Sequence, residues 1–246
     1  MASMTTDRVP ELGVRAQVLG VPVDVCADVR AAAIALHTHG GGQLVTLNAE
    51  MTMAARADRA LGEVITAAQL VIPDGAGVVW ALGRQGFRVR RSPGIELAHE
   101  LLAHGVQAGW TVALVGASPE VMGALKRQLL EHWPSLKLAF ALHGFQPKEA
   151  WPALERELLE ARPDLVLVAL GVPRQELWIH RLHQGQLGLW MGVGGSFDVW
   201  AGHKKRAPGW MGALRIEWLH RLIQEPSRWR RMLSLPAFAW AVLKGA

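Results

Sequence analysis

Tyrosine is absent from this chain and cysteine occurs once, at Cys26. A single thiol excludes a disulfide within the chain and leaves a thiolate zinc site without ligands. No phenol is available to touch a ligand. Long apolar runs are missing as well. No stretch reaches the ~18 uninterrupted apolar residues of a spanning helix. The opening MASMTTDRVPELG lacks the hydrophobic centre of a secretory signal, so the expected address is the cytoplasm. Ten histidines occur, yet none falls in HExxH or another metal-ligand spacing. There is no GxxxxGK followed by Ser or Thr, which disfavours ATP-type phosphoryl transfer. There is no Asp-x-Asp pair to hold a metal on a sugar-nucleotide diphosphate, so no metal is expected. Repeats and low-complexity segments are also missing.

What is present is a core. Half of the 246 residues are hydrophobic and 19% are charged, a globular composition large enough for one substantial core with an appendage. The net charge of +5 is uneven. Between His203 and Arg231 stand eight cations against two acids, a local +6 that leaves the rest of the chain at −1. A basic C-terminal segment on a nearly neutral body points to a polyanion: anionic lipid, nucleic acid or a diphosphate.

Short apolar runs alternate with helical patterns. Strands are expected at 43–48, 69–73, 110–116, 136–142, 164–170 and 187–193. Helices are expected near 50–62, 75–84, 94–107, 118–131, 148–161 and 173–184, after a hairpin at 16–25 and a helix at 27–38. Strands this apolar, without polar alternation, suit a parallel sheet covered on both faces. The fold class is therefore α/β: Rossmann-like, mostly parallel, with helices on both faces and a C-terminal helical, basic appendage. The division falls at 1–207 and 208–246.

In such sheets ligands lie beyond the carboxyl ends of the strands. Those ends are Thr46–Asn48, Pro73–Gly77, Gly116–Ser118, His143–Gly144, Gly171–Gln175 and Gly192–Ser196, nearly all polar or glycine. The loops Gly116-Ala117-Ser118 and GVGGS, with Gly194 and Gly195, can cradle a phosphate on backbone N–H groups. For either loop alone an ordinary strand–helix turn is the favoured reading, since a lone Gly-rich turn is weak evidence. Asp74, in VIPDGAGVVW, is either the N-cap of the helix it opens or a general base toward a hydroxyl, and one residue can be both. Asn48 is its expected neighbour on the next strand. Arg174 and Gln175 should project at the mouth of the cleft, where guanidinium and amide donors hold sugar or phosphate oxygens. Asp198 is a surface carboxylate or an acceptor for a base or ribose edge. The tail carries Arg221, Arg228 and Arg231 at spacings compatible with one helix face, then an apolar end with two tryptophans in its neighbourhood. It is either a helix docked on the core or an interfacial segment that meets a membrane.

The segments TLNAEM (46–51), PDGAGVVWA (73–81), RSPGIEL (91–97), LVGASPEV (114–121), HGF (143–145), PDLVLVALGVPRQELWI (163–179), GVGGSFDVWAGHKKRAP (192–208) and EWLHRLIQEPSRWRR (217–231) occur together and in order. On these the chain resembles the bacterial WecG/TagA/CpsF glycosyltransferases, glycosyltransferase family 26. The resemblance implies metal-independent, inverting transfer of a sugar from a UDP-sugar to a sugar carried on polyprenyl diphosphate, commonly undecaprenyl. N-acetylmannosamine is the best-known donor sugar, in the linkage unit of wall teichoic acid; a uronic acid or glucose serves in exopolysaccharide pathways. It also implies a peripheral protein on the inner face of the cell membrane, with no nucleic acid partner; a homo-oligomer is compatible with this reading. By residue, it implies Asp74 as base, with Thr46, Asn48 and Gln175 beside it. Gly116, Ala117, Ser118, Gly171, Arg174, Gly194, Gly195 and Asp198 are expected around the donor, with Arg221, Arg228 and Arg231 closing over the diphosphate. Four positions depart from the family's habit: Glu96 for Asp, Phe145 and His220 for Tyr, and Arg174 for Lys. Without the tail, another UDP-dependent Rossmann-like enzyme is the rival; with Asp74 only a cap, a polyanion-binding module is.

Overall fold

A computed structural model describes residues 9–205, 207–208, 211, 217–224, 226 and 229–245. Its centre is a six-stranded parallel sheet: β3 (Gly42–Leu47), β4 (Leu70–Pro73), β5 (Thr111–Gly116), β6 (Lys137–Leu142), β7 (Leu165–Ala169) and β8 (Leu189–Gly192). The order across it is β4-β3-β8-β7-β5-β6. Every residue of β4 and β8 is buried, as expected of strands covered on both faces, whereas the edge strand β6 alternates with solvent.

The period of two sorts the strand side chains between the layers. Leu44, Ile72, Leu114, Leu167 and Met191 face one side, where they meet α1 (Val29–Thr38), α5 (Gly94–Ala108) and α6 (Pro119–His132). Val45, Leu47 and Val71 face the other, against α2 (Ala49–Ala57), α3 (Arg59–Ala67) and α4 (Ala76–Arg84). On that same side Val115, Val166 and Trp190 meet α7 (Trp151–Ala161) and α8 (Arg174–Leu182). Each large apolar side chain so buried contributes roughly 1.5–3 kcal/mol.

The hairpin forms as β1 (Val14–Val18) and β2 (Val21–Val25). It guards the β4 edge through a buried charge. Asp24 is 0% exposed, accepts the Val71 N–H at 2.8 Å, and receives both the Nε and an Nη of Arg15 at 2.9 Å. An exposed sheet edge is a liability, and this carboxylate occupies part of it.

One expected helix divides. The periodicity near 50–62 becomes α2 and α3, separated at Asp58, which ends the first and caps the second through Ala60 N and Leu61 N. Aspartate competes with helical backbone for its own neighbours' N–H groups, and here that competition wins.

Beyond α9 (Ser196–Trp200) the described tail contains α10 (Glu217–Gln224), α11 (Trp229–Met232) and α12 (Ser234–Lys244). Phe238 and Ala241 of α12 are buried, Phe238 in the α2–α4 layer, where its ring passes Gly77. A Cβ on Gly77 would stand 3.3 Å from that ring, so the glycine admits it. The terminal helix is thus docked by one face, while Leu233, Trp240 and Leu243 stay exposed. Among the described residues no helix is long and apolar enough to cross a membrane.

Candidate active site

Strand order decides which carboxyl ends meet. The ends of β3, β8 and β7, together with β4 beyond β3, open onto one cavity of about 860 Å3. It lies where the β3–β4 half joins the β5–β8 half, the crevice where open α/β sheets bind ligands. Thr46 and Asn48 enter from β3, Asp74 from β4, Gly171 and Gln175 from the turn after β7, and Gly194, Gly195 and Asp198 from the segment after β8. The outer face of α2 adds Met53, Ala54 and Ala57; Arg91, Lys204 and Lys205 add positive charge. From the tail, His220 and Gln224 of α10 reach the same cavity. The Gln224 amide donates to the Lys205 carbonyl at 2.8 Å, tying α10 to the segment after α9.

The Gly116–Ser118 loop and Arg174 do not line this cavity, contrary to expectation. The loop follows β5, one strand beyond β7, and behaves as a plain turn: Ser118 caps α6 through Val121 N at 3.2 Å. Arg174 is exposed and lies over the Trp151 ring, 5.3 Å from its centroid. His143 and Gly144 follow the edge strand β6 and do not line it either, and Phe145 is 73% exposed outside the cavity. Arg228 lies outside the described residues. Arg221 and Arg231 are placed by backbone on α10 and α11; their side chains are outside the description.

Asp74 is not the cap of the helix that follows it. Gly75 occupies that position, with no side-chain bond. The Asp74 carboxylate instead accepts the N–H of Gly94, the first residue of α5, through Oδ1 at 3.0 Å. The N-cap of α5 is Pro93, whose side chain has no acceptor, so the carboxylate from the neighbouring strand end fills the role. The helix N-terminus in turn favours the charge it holds. Two backbone contacts lock the arrangement: Asp74 N–H donates to Leu47 O at 3.0 Å, and Arg91 Nε donates to Asp74 O at 2.7 Å. Gly94 has no room for a side chain, since a Cβ would fall 2.7 Å from Thr46 Cγ2. Thr46, Asp74 and the α5 terminus therefore form one packed unit. Asn48 is the cap of α2, accepting Met51 N at 3.0 Å, and sits at the end of β3 next to Asp74.

Gln175 is buried and its amide is held at both ends. Its Oε1 accepts Gly171 N–H at 3.2 Å, and its Nε2 donates to Glu176 Oε1 at 2.7 Å. Burial pushes the Glu176 carboxyl up to about 7. Asp198 pairs with Lys204 at 3.3 Å, both partly solvated. Among the described residues there is no group of three or more His, Cys, Asp or Glu side chains arranged to hold a metal ion.

The Glycosyl transferase WecG/TagA/CpsF family matches residues 16–246. The chain belongs to that family. An N-acetylglucosaminyldiphosphoundecaprenol N-acetyl-beta-D-mannosaminyltransferase of Bacillus subtilis (strain 168) is 37% identical over 206 residues, 83% of this chain and 80% of that protein. One of the same description from Bacillus spizizenii (strain ATCC 23059 / NRRL B-14472 / W23) is 34% identical over 211 residues, 85% of this chain and 81% of that protein. This member of the family is a sugar transferase of the hexosyltransferase kind.

Arg91, Gly94 and Glu176 lie in the segments that carry the resemblance, with no role legible from sequence. Lys204 and Lys205 stand out in sequence only as part of a basic stretch. Their signal was local, a Pro-Gly helix start and two adjacent lysines, but which strand end they face is not local information. Of the four departures from the family's habit, His220 alone lines the cavity.

Proposed function

We propose that this enzyme transfers N-acetylmannosamine from UDP-N-acetylmannosamine to N-acetylglucosamine on polyprenyl diphosphate, by a single inverting displacement without a metal ion. The observation that carries the reading is the placement of the Asp74 carboxylate, fixed by Gly94 N–H and facing a cavity shared with Thr46, Asn48 and Gln175. In the proposed step Asp74 takes the proton of the acceptor hydroxyl as its oxygen bonds to the anomeric carbon. The bond from that carbon to the diphosphate breaks from the opposite side, and its electron pair leaves with UDP. Arg91, Lys204 and Lys205 supply positive charge for the departing diphosphate, a role otherwise met by a cation. Arg221, Arg228 and Arg231 join them in this reading, supported by the approach of α10 to the cavity.

The lipid acceptor requires a membrane surface, and the tail fits one. Trp218, Ile223, Trp229, Leu233, Trp240 and Leu243 are exposed within a segment rich in arginine. Such a surface is the chemistry of an interfacial segment on the cytoplasmic leaflet. Co-sedimentation with anionic vesicles tests it, and equal partition with neutral vesicles would argue against it.

Asp74→Asn should retain UDP binding by calorimetry and lose turnover by about 10²- to 10⁴-fold. Near-normal turnover would remove Asp74 as base. Undiminished UDP release in excess EDTA is expected. A donor screen with a polyprenyl-diphosphate-GlcNAc acceptor decides between N-acetylmannosamine, its uronic acid and glucose.

A further inference from the structure

Glu176 is among the buried ionisable groups that the cleft chemistry leaves unused. It is 2% exposed, is not on the cavity wall, and is hydrogen-bonded to Gln175, which is. Its Oε1 accepts the Gln175 amide at 2.7 Å. Its Oε2 is buried without a hydrogen-bond partner among the described residues, as is Oε1 of Gln43 on β3. Gln43 is fully buried too, and its amide donates to the Glu176 carbonyl at 3.1 Å. Space for the pair is reserved by Gly192, where a Cβ would overlap Gln175 Nε2 and lie 2.9 Å from Glu176 Oε1.

An isolated buried carboxylate with an orphan oxygen is costly, and a buried leucine would serve packing better. What the group does achieve is orientation. A glutamine amide can be flipped with little change in shape. Here the Glu176 oxygen accepts only from the NH2 end, and Gly171 N–H donates only to the carbonyl end, so a single orientation remains. We propose that Glu176 is a positioning residue of the transferase, holding the Gln175 carboxamide from behind so that its remaining N–H and carbonyl lone pair meet the substrates at fixed angles. The role needs an acceptor at this reach; it does not need a negative charge. The carboxyl's resistance to ionisation agrees, because no charged neighbour contributes to its raised pKa and burial is the main cause. One proton on Glu176 also turns one of the two buried orphan acceptors into a donor.

This inference rests on Gln175 touching substrate, so the test separates the two claims. The whole chain is assayed with UDP-N-acetylmannosamine and polyprenyl-diphosphate-GlcNAc, with melting curves for every variant. Glu176→Gln keeps an acceptor at the same reach and should turn over at close to the wild-type rate. Glu176→Asp keeps an acid but withdraws it by one methylene, and should lower kcat by about 10- to 100-fold while remaining folded. Gln175→Ala should lose as much, and adding Glu176→Asp to it should cost nothing further. A silent Gln175→Ala would overturn the substrate role of Gln175 and this inference with it. An impaired Gln175→Ala beside a silent Glu176→Asp would overturn the positioning role alone. So would losses that multiply in the double variant, or a Glu176→Gln as poor as Glu176→Asp.

Discussion

Two glycine-rich strand ends, GAS after β5 and GVGGS after β8, are alike in sequence and unlike in place. Both follow an apolar strand and precede a helix. Only the second opens into the cavity, because β8 lies beside β3 while β5 lies one strand beyond β7. The lesson is that a strand end becomes part of a site through its neighbours across the sheet. Its own residues do not decide this. The same contrast separates Asn48 from Ser118. Each caps a helix through its side chain, but Asn48 does so beside Asp74 and Ser118 does so on a turn that does not line the cavity.

Substitutions can break that comparison. The largest difference is expected between Gly192→Ala and Gly116→Ala. A methyl at 192 overlaps the Gln175 amide and should lower kcat at least 10-fold, with about 1–3 kcal/mol of overpacking. A methyl at 116 meets the Ala169 backbone at a φ of +117°. It should cost a similar amount of stability and, since Ala169 borders the cavity, lower the kcat of folded enzyme less than Gly192→Ala does. Steady-state kinetics with melting curves separate the two, and equal kinetic losses would contradict the assignment of the cavity.

Next come the caps. Ser118→Ala and Asn48→Ala should each cost about 1 kcal/mol in chemical denaturation. Only Asn48→Ala should also reduce turnover.

A third test concerns pH. The folded-state value for Glu176 is raised from 4.5 to about 7, so the folded protein holds this proton more tightly than the unfolded chain. The stability this gives is complete below about 4.5 and is lost as pH rises through about 7. Glu176→Gln cannot lose a proton. Its melting temperature relative to wild type should therefore rise between pH 5 and pH 8, and comparison on one background cancels the other titrating groups. A difference that stays flat would refute the raised pKa.

The smallest effect is expected at Phe145. Restoring the hydroxyl with Phe145→Tyr should change neither kcat nor KM, because the ring points to solvent away from the cavity. His220→Tyr, at the one departure that lines the cavity, is the informative counterpart for donor choice.

Much of this was legible beforehand. The six strands lie within two residues of the expected boundaries at every end, because unbroken apolar runs bounded by Gly, Pro and Asp have few other solutions in water. Thr46, Asn48, Asp74, Gln175, Gly171, Gly194, Gly195 and Asp198 were all marked as strand-end polar or glycine residues, and they line one cavity. Gly116–Ser118 and Arg174 carry the same local signal and do not line it. The split at Asp58 was missed because apolar spacing continues across it, while the side-chain acceptor that ends one helix and starts another contributes nothing to periodicity.

The sequence by itself determined where strands and helices run, that the sheet is parallel and covered, that the C-terminal segment is basic, and which residues stand at strand ends. Those properties follow from spacing, composition and cap chemistry over a few residues. Only the tertiary structure decided that β3 and β8 are neighbours, that Asp74 caps α5 across a gap of 20 residues instead of its own helix, and that Glu176 stands behind Gln175. These pairings arise from how crossovers return to the sheet and which faces pack, energies shared among residues far apart in the chain. No local pattern carries them.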